Sequence, residues 1–339
     1  MAAILSLTAM SAPVVAQSTK SIVIRDIGSF YIPGREVSVR SAPKRPRLGS
    51  ANQEVEIVDP NGDFEVQQTY VQYVKLVKPR SRWPILFLPG GSVSGVTYES
   101  TPDGRPGWQL EFLRAGYSTY VADTWQAGRA PWARYPEINA QEPQFRPKAF
   151  LWETFRIGPP RSYALTREQR KAYPGTRFPV HAFDKFALQA FPRFQAPAAD
   201  DRLLPLALFE RVCPCVLVAH SAAGPAAFQI AHERPDLVKA VIAIEPSGGL
   251  GLEKRRSDRV QLAPHLIMWG DHVNADDSWK GLYRSALEYS DAIRAVGAPV
   301  SWINLPTEGV RGNSHMLMMD DNSAEIAARI HRWIDTNVK

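Results

Sequence analysis

Short apolar segments of strand character alternate with segments of helical periodicity from residue 83 to the C-terminal end. Strands that alternate with helices form a mainly parallel sheet that is covered by helices on both faces. The predicted strands are 85–88, 118–122, 215–219, 241–244, 265–269 and 300–305, and the predicted helices are 108–114, one ending at residue 233, 281–296 and 323–338. The 339 residues suit one large α/β domain with an insertion, or two average domains.

The alternation stops between the second and third of these strands. Residues 131–211 are rich in Pro, Arg and aromatic side chains, and they contain only short predicted helices, at 167–173 and 182–190. We interpret this segment as a cap inserted between two strands of the sheet; the alternative is additional structural packing. Nearer the N-terminus, we predict two short strands around a turn at Pro33-Gly34 and a further strand at 70–77.

The chain is mildly basic, with 40 Lys and Arg, 34 Asp and Glu, and a formal net charge of +6. The basic residues are spread along the whole sequence, and no basic run is interleaved with aromatic residues. A nucleic-acid partner is therefore not expected. The charge favours anionic surfaces or substrates only weakly. The sequence does not indicate an oligomeric state.

Residues 1–16 are uncharged, mostly small or apolar, and end in Val14-Val15-Ala16. This pattern predicts a signal peptide that is cleaved before Gln17, although no Lys or Arg precedes the apolar run. The mature α/β domain would then comprise residues 17–339. No later segment approaches the length of a membrane span. We therefore expect a soluble protein that is periplasmic or secreted.

Two cysteines, Cys213 and Cys215, flank Pro214. Partners two residues apart on an extended strand lie near the upper Cα separation that a disulfide tolerates. The favoured interpretation is a pair of small buried residues that enter a strand, and a disulfide is the alternative. Their spacing with the histidines is not that of a metal site, and we expect neither a metal nor a cofactor.

The candidate nucleophile, Ser221, lies in the segment VLVAHSAAG at 216–224. An apolar strand runs into this serine, a predicted helix follows it, and small residues stand two positions away on each side. A nucleophilic serine at such a turn has a strained backbone that requires small neighbours. The helix that begins there directs its N-terminal N–H groups toward an oxyanion.

An oxyanion hole is predicted from the glycines that follow an earlier strand, in the segment FLPGGS at 87–92. Glycines let backbone N–H groups approach a substrate oxygen without obstruction by a side chain. The expected donors are the backbone N–H groups of Gly91 and Ala222. The alternative is an ordinary glycine turn after a strand.

The candidate base is His315, chosen by elimination among seven histidines. Only His272 and His315 occupy loops after strands near the C-terminus, and His272 follows its strand too closely. His315 lies after the last predicted strand and before the last helix. The chain order Ser…acid…His requires the histidine at that place.

The candidate acid is Glu245, at the carboxyl end of the strand at 241–244. Ligand and catalytic groups gather at the carboxyl ends of parallel strands. After the next strand, Val273 occupies the position where an acid would be expected, so Asp271 and Asp276 are kept as alternatives. The acid would hold the imidazole tautomer and stabilise the imidazolium.

Taken together, these motifs resemble the α/β-hydrolase superfamily and, within it, a group of exported bacterial carboxylesterases. The similarity covers most of the mature chain and is carried by YESTPDGRPGW at 98–108, IEPSG at 244–248 and GNSH at 312–315. The resemblance implies an α/β-hydrolase fold and an acid after the earlier strand, in agreement with Glu245. The chain differs at Pro89, where a histidine is frequent, and at Ala222-Ala223, where Gln-Gly is commoner.

We expect a serine hydrolase that cleaves carboxylic esters through an acyl-enzyme, without a cofactor. The alternatives are a lactonase or amidase with the same triad, and a degenerate hydrolase fold that serves as a binding protein. Aromatic residues of the insertion, Trp132 and Trp152 among them, should line the pocket and favour small-molecule esters with an aromatic or bulky group. Arginines of the same region could accept a substrate carboxylate, although solvated surface positions are their expected role: Arg129, Arg134, Arg146, Arg156 and Arg161.

Overall fold

The computed structural model describes residues 21–48, 55–194, 204–251 and 262–338, so the predicted leader at 1–16 lies outside the described residues. The strands are β1 (Ile24–Ile32), β2 (Arg35–Val39), β3 (Arg45–Leu48), β4 (Val55–Val58), β5 (Gly62–Val66), β6 (Thr69–Leu76), β7 (Ile85–Leu88), β8 (Thr119–Asp123), β9 (Cys215–His220), β10 (Val238–Ile244), β11 (His265–Trp269) and β12 (Val300–Asn304). The helices are α1 (Val96–Glu99), α2 (Trp108–Arg114), α3 (Lys148–Thr154), α4 (Phe183–Ala187), α5 (Leu206–Val212), α6 (Ala223–Glu233), α7 (Asp277–Ala295) and α8 (Ser323–Asn337).

An eight-stranded sheet organises the fold, in the order β1-β6-β8-β7-β9-β10-β11-β12. β6 pairs antiparallel with β1 and β8, whereas the strands from β8 to β12 are parallel neighbours. The central strands β7, β9 and β11 are buried along their whole length. Strands covered on both faces require continuous apolar sequence, and the prediction of a mainly parallel sheet is confirmed.

The two faces of the sheet have separate hydrophobic cores. In β9, Leu217 and Ala219 pack into the core that contains residues of α6 and α7, whereas Val216 and Val218 pack into the core that contains residues of α2 and α8. This alternation follows from the period of two along a strand. Helices therefore cover both faces, as predicted. Among the described helices, none has the length and apolarity that crossing a membrane requires.

The N-terminal strands β1 and β2 surround Pro33-Gly34, where a turn was predicted, but they do not pair with one another. β1 pairs with β6 in the large sheet, and β2 pairs with β5 in a separate two-stranded sheet. A Cβ added to Gly34 would lie 1.9 Å from the backbone oxygen of Val66, so the chain passes too close to β5 for any side chain there.

Cys213 and Cys215 form a disulfide, with their Cα atoms 4.3 Å apart. The favoured interpretation of two unpaired buried cysteines is therefore wrong, and the alternative, a disulfide, is the one that the structure contains. The spacing argument assumed that both residues lie on an extended strand. β9 begins only at Cys215, and Cys213 lies before it, at the end of α5.

The segment at 131–211 contributes α3, α4 and most of α5, and its helices are shorter than predicted. A single turn of 3-10 helix at Arg167–Gln169 replaces the helix predicted at 167–173. Pro174 follows, and a proline disfavours helical backbone at the residue before it. The helix predicted at 182–190 is limited to α4, which ends at Ala187.

Candidate active site

Ser221 lies at the sharp turn between β9 and α6. Its φ is 51°, in the left-handed region that a residue with a side chain rarely adopts. Backbone hydrogen bonds hold this conformation: the Ser221 N–H donates to the carbonyl of Ile244 at 3.0 Å, and the Ser221 carbonyl accepts from Gly224 at 2.9 Å and from Ser247 at 3.0 Å. The turn therefore fastens the serine to the carboxyl end of β10.

Glycines on two neighbouring segments let the chain approach this turn closely. A Cβ added to Gly90 would lie 2.8 Å from the Cβ of Ser221, and one added to Gly224 would lie 2.5 Å from the Cβ of Pro246. Both distances are shorter than side-chain contacts allow, so a larger residue would displace the loop after β7 or the start of α6.

Glu245 and His315 are in direct contact, since the carboxylate Oε2 lies 2.9 Å from the imidazole Nδ1. Glu245 directly follows β10, and both side chains are fully buried. The backbone N–H of His315 donates to the carbonyl of Phe155 at 2.9 Å, and its carbonyl accepts from Nε2 of His220 at 3.0 Å. These contacts fix the orientation of the imidazole ring.

The two alternative acids have other partners. Asp271 accepts hydrogen bonds from the backbone N–H groups of Gly312 and His272. Asp276 caps the N-terminus of α7 by accepting from the backbone N–H groups of Ser278 and Trp279. Glu245 is the carboxylate that contacts the imidazole.

Arg156 completes a buried charge cluster that the sequence did not reveal. Its Nη2 lies 2.5 Å from Oε2 of Glu245, and its side chain is only 2% exposed. The guanidinium also lies 4.6 Å from the ring centre of Trp279, and its Nε donates to the carbonyl of Asp271 at 2.8 Å. The expected solvated position of Arg156 is wrong, because this side chain is buried against Glu245. No local pattern marks this arginine among those of the insertion.

The cluster determines the charge of both partners. Burial opposes ionisation of Glu245, but the Arg156 guanidinium and the hydrogen bond from His315 outweigh it and lower the pKa to about 2. Burial lowers the pKa of His315 below its ordinary value of 6.5, and the charge of Arg156 adds to this effect. The hydrogen bond to Glu245 opposes that decrease without cancelling it. At neutral pH the site therefore holds a carboxylate and a neutral imidazole.

A cavity of about 460 Å³ brings the remaining candidate residues together. Ser221, His315, Gly91 and Ala222 all contribute to its wall. The aromatic residues of the wall differ from those expected. Trp152 is fully buried in the core and Trp132 packs on Phe194, and neither lines this cavity. The aromatic wall residues are Phe150, Phe155, Tyr173 and Trp279.

The contact with Glu245 leaves one imidazole nitrogen for chemistry. A carboxylate that accepts from Nδ1 places the proton on that atom, so Nε2 carries a lone pair. Within the described residues Nε2 of His315 has no hydrogen-bond partner. An imidazole held in this way can accept a proton from a hydroxyl group in the cavity. No group of three His, Cys, Asp or Glu side chains able to hold a metal occurs in the part of the chain that the structure describes.

Comparisons with known proteins agree with this architecture. A solved structure described as a novel bacterial esterase superposes with a TM-score of 0.80 at 29% sequence identity, covering 96% of this chain and all of that one. A curated fungal protein, "Probable secreted lipase phiG" from Fungal sp. (strain ATCC 74256), is 26% identical over 85% of this chain and 92% of its own length. No protein-family profile matches. The chain has the α/β-hydrolase fold, and it is similar to hydrolases of the esterase and lipase type.

Proposed function

We propose that the protein cleaves carboxylic esters through an acyl-enzyme, with Ser221 as nucleophile, His315 as base and Glu245 as the acid that orients it. The contact between Glu245 and His315, beside the cavity that Ser221 lines, is the observation that carries this proposal. A carboxylate, an imidazole and a hydroxyl in this chain order are the groups that nucleophilic acyl transfer requires. The likeness to an esterase over nearly the whole chain supports the same reaction.

The reaction begins when the Ser221 hydroxyl attacks the ester carbonyl and gives its proton to Nε2 of His315. The backbone N–H groups of Gly91 and Ala222 stabilise the tetrahedral oxyanion, and the positive end of the α6 dipole adds to that stabilisation. The imidazolium then protonates the departing alcohol, which leaves an acyl group on Ser221. A water molecule, deprotonated by the same imidazole, hydrolyses the acyl-enzyme and restores the serine.

The segment at 131–211 acts, in this proposal, as a cap over the cavity. Phe150 and Phe155 from this segment form part of the cavity wall that also contains Ser221. Arg156, from the same segment, contacts the proposed acid. The cap therefore both shapes the substrate pocket and holds Glu245. Its aromatic wall residues favour small-molecule esters with an aromatic or bulky group.

Labelling with a fluorophosphonate probe tests the proposal, since the probe reacts only with an activated serine. The wild-type protein should be labelled on Ser221, and Ser221→Ala should lose both labelling and ester hydrolysis, by about 10⁶ in kcat. Ser247→Ala is the matched control, because Ser247 lines the same cavity. Retention of more than a few per cent of the activity in Ser221→Ala, after contamination is excluded, would refute the mechanism. A panel of an ester, a lactone and an amide decides which acyl compound is preferred.

We also propose that the protein is exported to the periplasm or the medium after cleavage of residues 1–16. The disulfide between Cys213 and Cys215 is typical of oxidising compartments, and the name of the curated relative describes a secreted protein. Intact-mass measurement of exported material should give a chain that begins at Gln17. A mature protein that retains Met1 would contradict this proposal.

A further inference from the structure

Two arginines of the cap are brought side by side by a short antiparallel bridge. The backbone of Gln144 exchanges two hydrogen bonds with the backbone of Arg193, at 2.8 and 3.0 Å. Arg146 lies two residues after Gln144 in the same segment. Its Nη2 donates to the side-chain oxygen of Gln144 at 2.7 Å. The bridge therefore places the side chains of Arg146 and Arg193 next to each other.

Both arginines line the cavity that Ser221 and His315 also line. Arg193 approaches the proposed oxyanion loop, because a Cβ added to Gly91 would lie 2.7 Å from its Nη1. Arg146 lies over the ring of Phe150, 4.3 Å from the ring centre. Two arginines thus line the cavity, and one of them, Arg193, lies beside the proposed oxyanion loop.

Neither arginine has a carboxylate partner within the described residues. The other charged side chains of the cavity wall have separate contacts, since Arg156 is paired with Glu245 and Asp276 caps α7. Glu153 accepts from the backbone N–H of Arg161 at 2.9 Å.

The electrostatics of the arginine pair are unfavourable without an anion. The Nε of Arg146 is buried and has no hydrogen-bond partner in the described part of the chain. Burial lowers the pKa of Arg193, and the neighbouring charge of Arg146 adds to that effect. A partly buried pair of like charges is costly unless an anion joins it.

We infer that Arg146 and Arg193 form a binding site for an anionic group of the substrate, so that the preferred substrates are esters with a carboxylate near the scissile carbonyl. A guanidinium presents paired N–H donors that match the two oxygens of a carboxylate. This inference rests on the proposed esterase function of the same cavity. To that proposed function it adds the chemical class of the substrate, an ester with a carboxylate, and two residues that determine specificity, Arg146 and Arg193.

The experiment compares two esters of similar size and leaving group. Mono-4-nitrophenyl glutarate carries a terminal carboxylate, and 4-nitrophenyl methyl glutarate is its neutral counterpart. The wild type should hydrolyse the charged ester with a kcat/KM about 10- to 100-fold higher, the range of a charge-assisted hydrogen bond. Arg193→Gln and Arg146→Gln should each lower kcat/KM for the charged ester at least tenfold more than for the neutral ester, through KM, and so remove most of this preference.

Arg329→Gln is the control for the loss of one positive charge, since Arg329 pairs with Glu308 and does not line the cavity. It should retain the preference. Calorimetric binding of glutarate gives a readout independent of turnover: the wild type should bind it, and Arg193→Gln should bind at least tenfold more weakly. Thermal melting verifies that each variant is folded.

Three results would overturn the inference. These are an equal kcat/KM for both esters in the wild type, an absence of glutarate binding, and an equal loss with both esters in Arg193→Gln. The last result would mean that Arg193 acts on the oxyanion instead. If the neutral ester is hydrolysed in a Ser221-dependent way without preference for the charged one, the proposed function stands and only this inference fails. Glutarate binding without hydrolysis of either ester would support the anion site and contradict the esterase.

Discussion

The guanidinium of Arg156 contacts both carboxylate oxygens of Glu245, and the two side chains are 2% and 0% exposed. The same carboxylate accepts from the backbone N–H of Gly270 and contacts the imidazole of His315. An acid with this many donors is held in one orientation and stays ionised. In the proposed mechanism Arg156 is therefore a positioning residue: it holds the Glu245 carboxylate, and its charge also lowers the pKa of His315.

Replacement of Arg156 by methionine should destabilise the fold by about 3–5 kcal/mol, since it leaves a buried carboxylate unpaired. It should also raise the pKa of His315, because the charge of Arg156 lowers that pKa in the wild type. In the proposed mechanism a neutral imidazole is the active base. The fall of kcat/KM at low pH, called here the acid limb, should therefore move to higher pH. Arg156→Lys should retain part of the wild-type profile.

The control for this prediction is Arg170→Met. Arg170 belongs to the same segment, is also 2% exposed, and pairs with Asp184, away from the cavity. It should lower the melting temperature and leave the acid limb in place. The same displacement of the limb in both variants would mean that Arg156 has only a structural role.

Glu245→Gln should lower kcat by roughly 10³–10⁴, since an amide does not provide the negative charge that stabilises the imidazolium. Asp271→Asn should cause a much smaller loss, because within the described residues Asp271 accepts only from the backbone N–H groups of His272 and Gly312. Steady-state kinetics of both variants against one activated ester would measure the difference. A larger loss in Asp271→Asn would transfer the role of the acid to the later strand.

Activity should persist below pH 6.5. The base must be neutral, and burial lowers the pKa of His315 below 6.5, so protonation inactivates it only at lower pH. A profile of kcat/KM against pH with an uncharged ester would locate this limb. His331→Gln, which changes a half-buried histidine of α8, should leave the limb unchanged. A limb above pH 6.5 would contradict the lowered pKa of His315.

Phe150→Ala should reduce kcat/KM for esters with bulky acyl groups by roughly 10- to 200-fold relative to small acetates, because Phe150 lines the cavity. Trp132→Ala is the comparison, since Trp132 packs on Phe194 and does not line it. A series of aryl esters of increasing acyl size would show the change in ranking. An unchanged ranking in Phe150→Ala would mean that this wall does not select the acyl group.

The strand–helix alternation sufficed to predict the sheet, because burial on both faces demands apolar strands and amphipathic helices, whatever the rest of the chain does. α2, β7 and β11 have the predicted bounds, and most other elements differ from theirs by a few residues. The candidate residues Ser221, Glu245 and His315 could be named because each lies at or after the carboxyl end of a strand. Those ends meet at one edge of a parallel sheet.

Tertiary structure alone decided the remaining features. Arg156 and Glu245 are 89 residues apart in sequence, and no local pattern distinguishes this arginine from the other arginines of the segment at 131–211. The bridge between Gln144 and Arg193 lies outside the named helices and strands. The disulfide likewise depends on Cys213, which lies between α5 and β9. Periodicity reports which face of an element is buried, whereas the partner of a buried charge depends on how distant segments pack. The sequence by itself thus determined the sheet and the residues at its edge, and packing determined the charges around them.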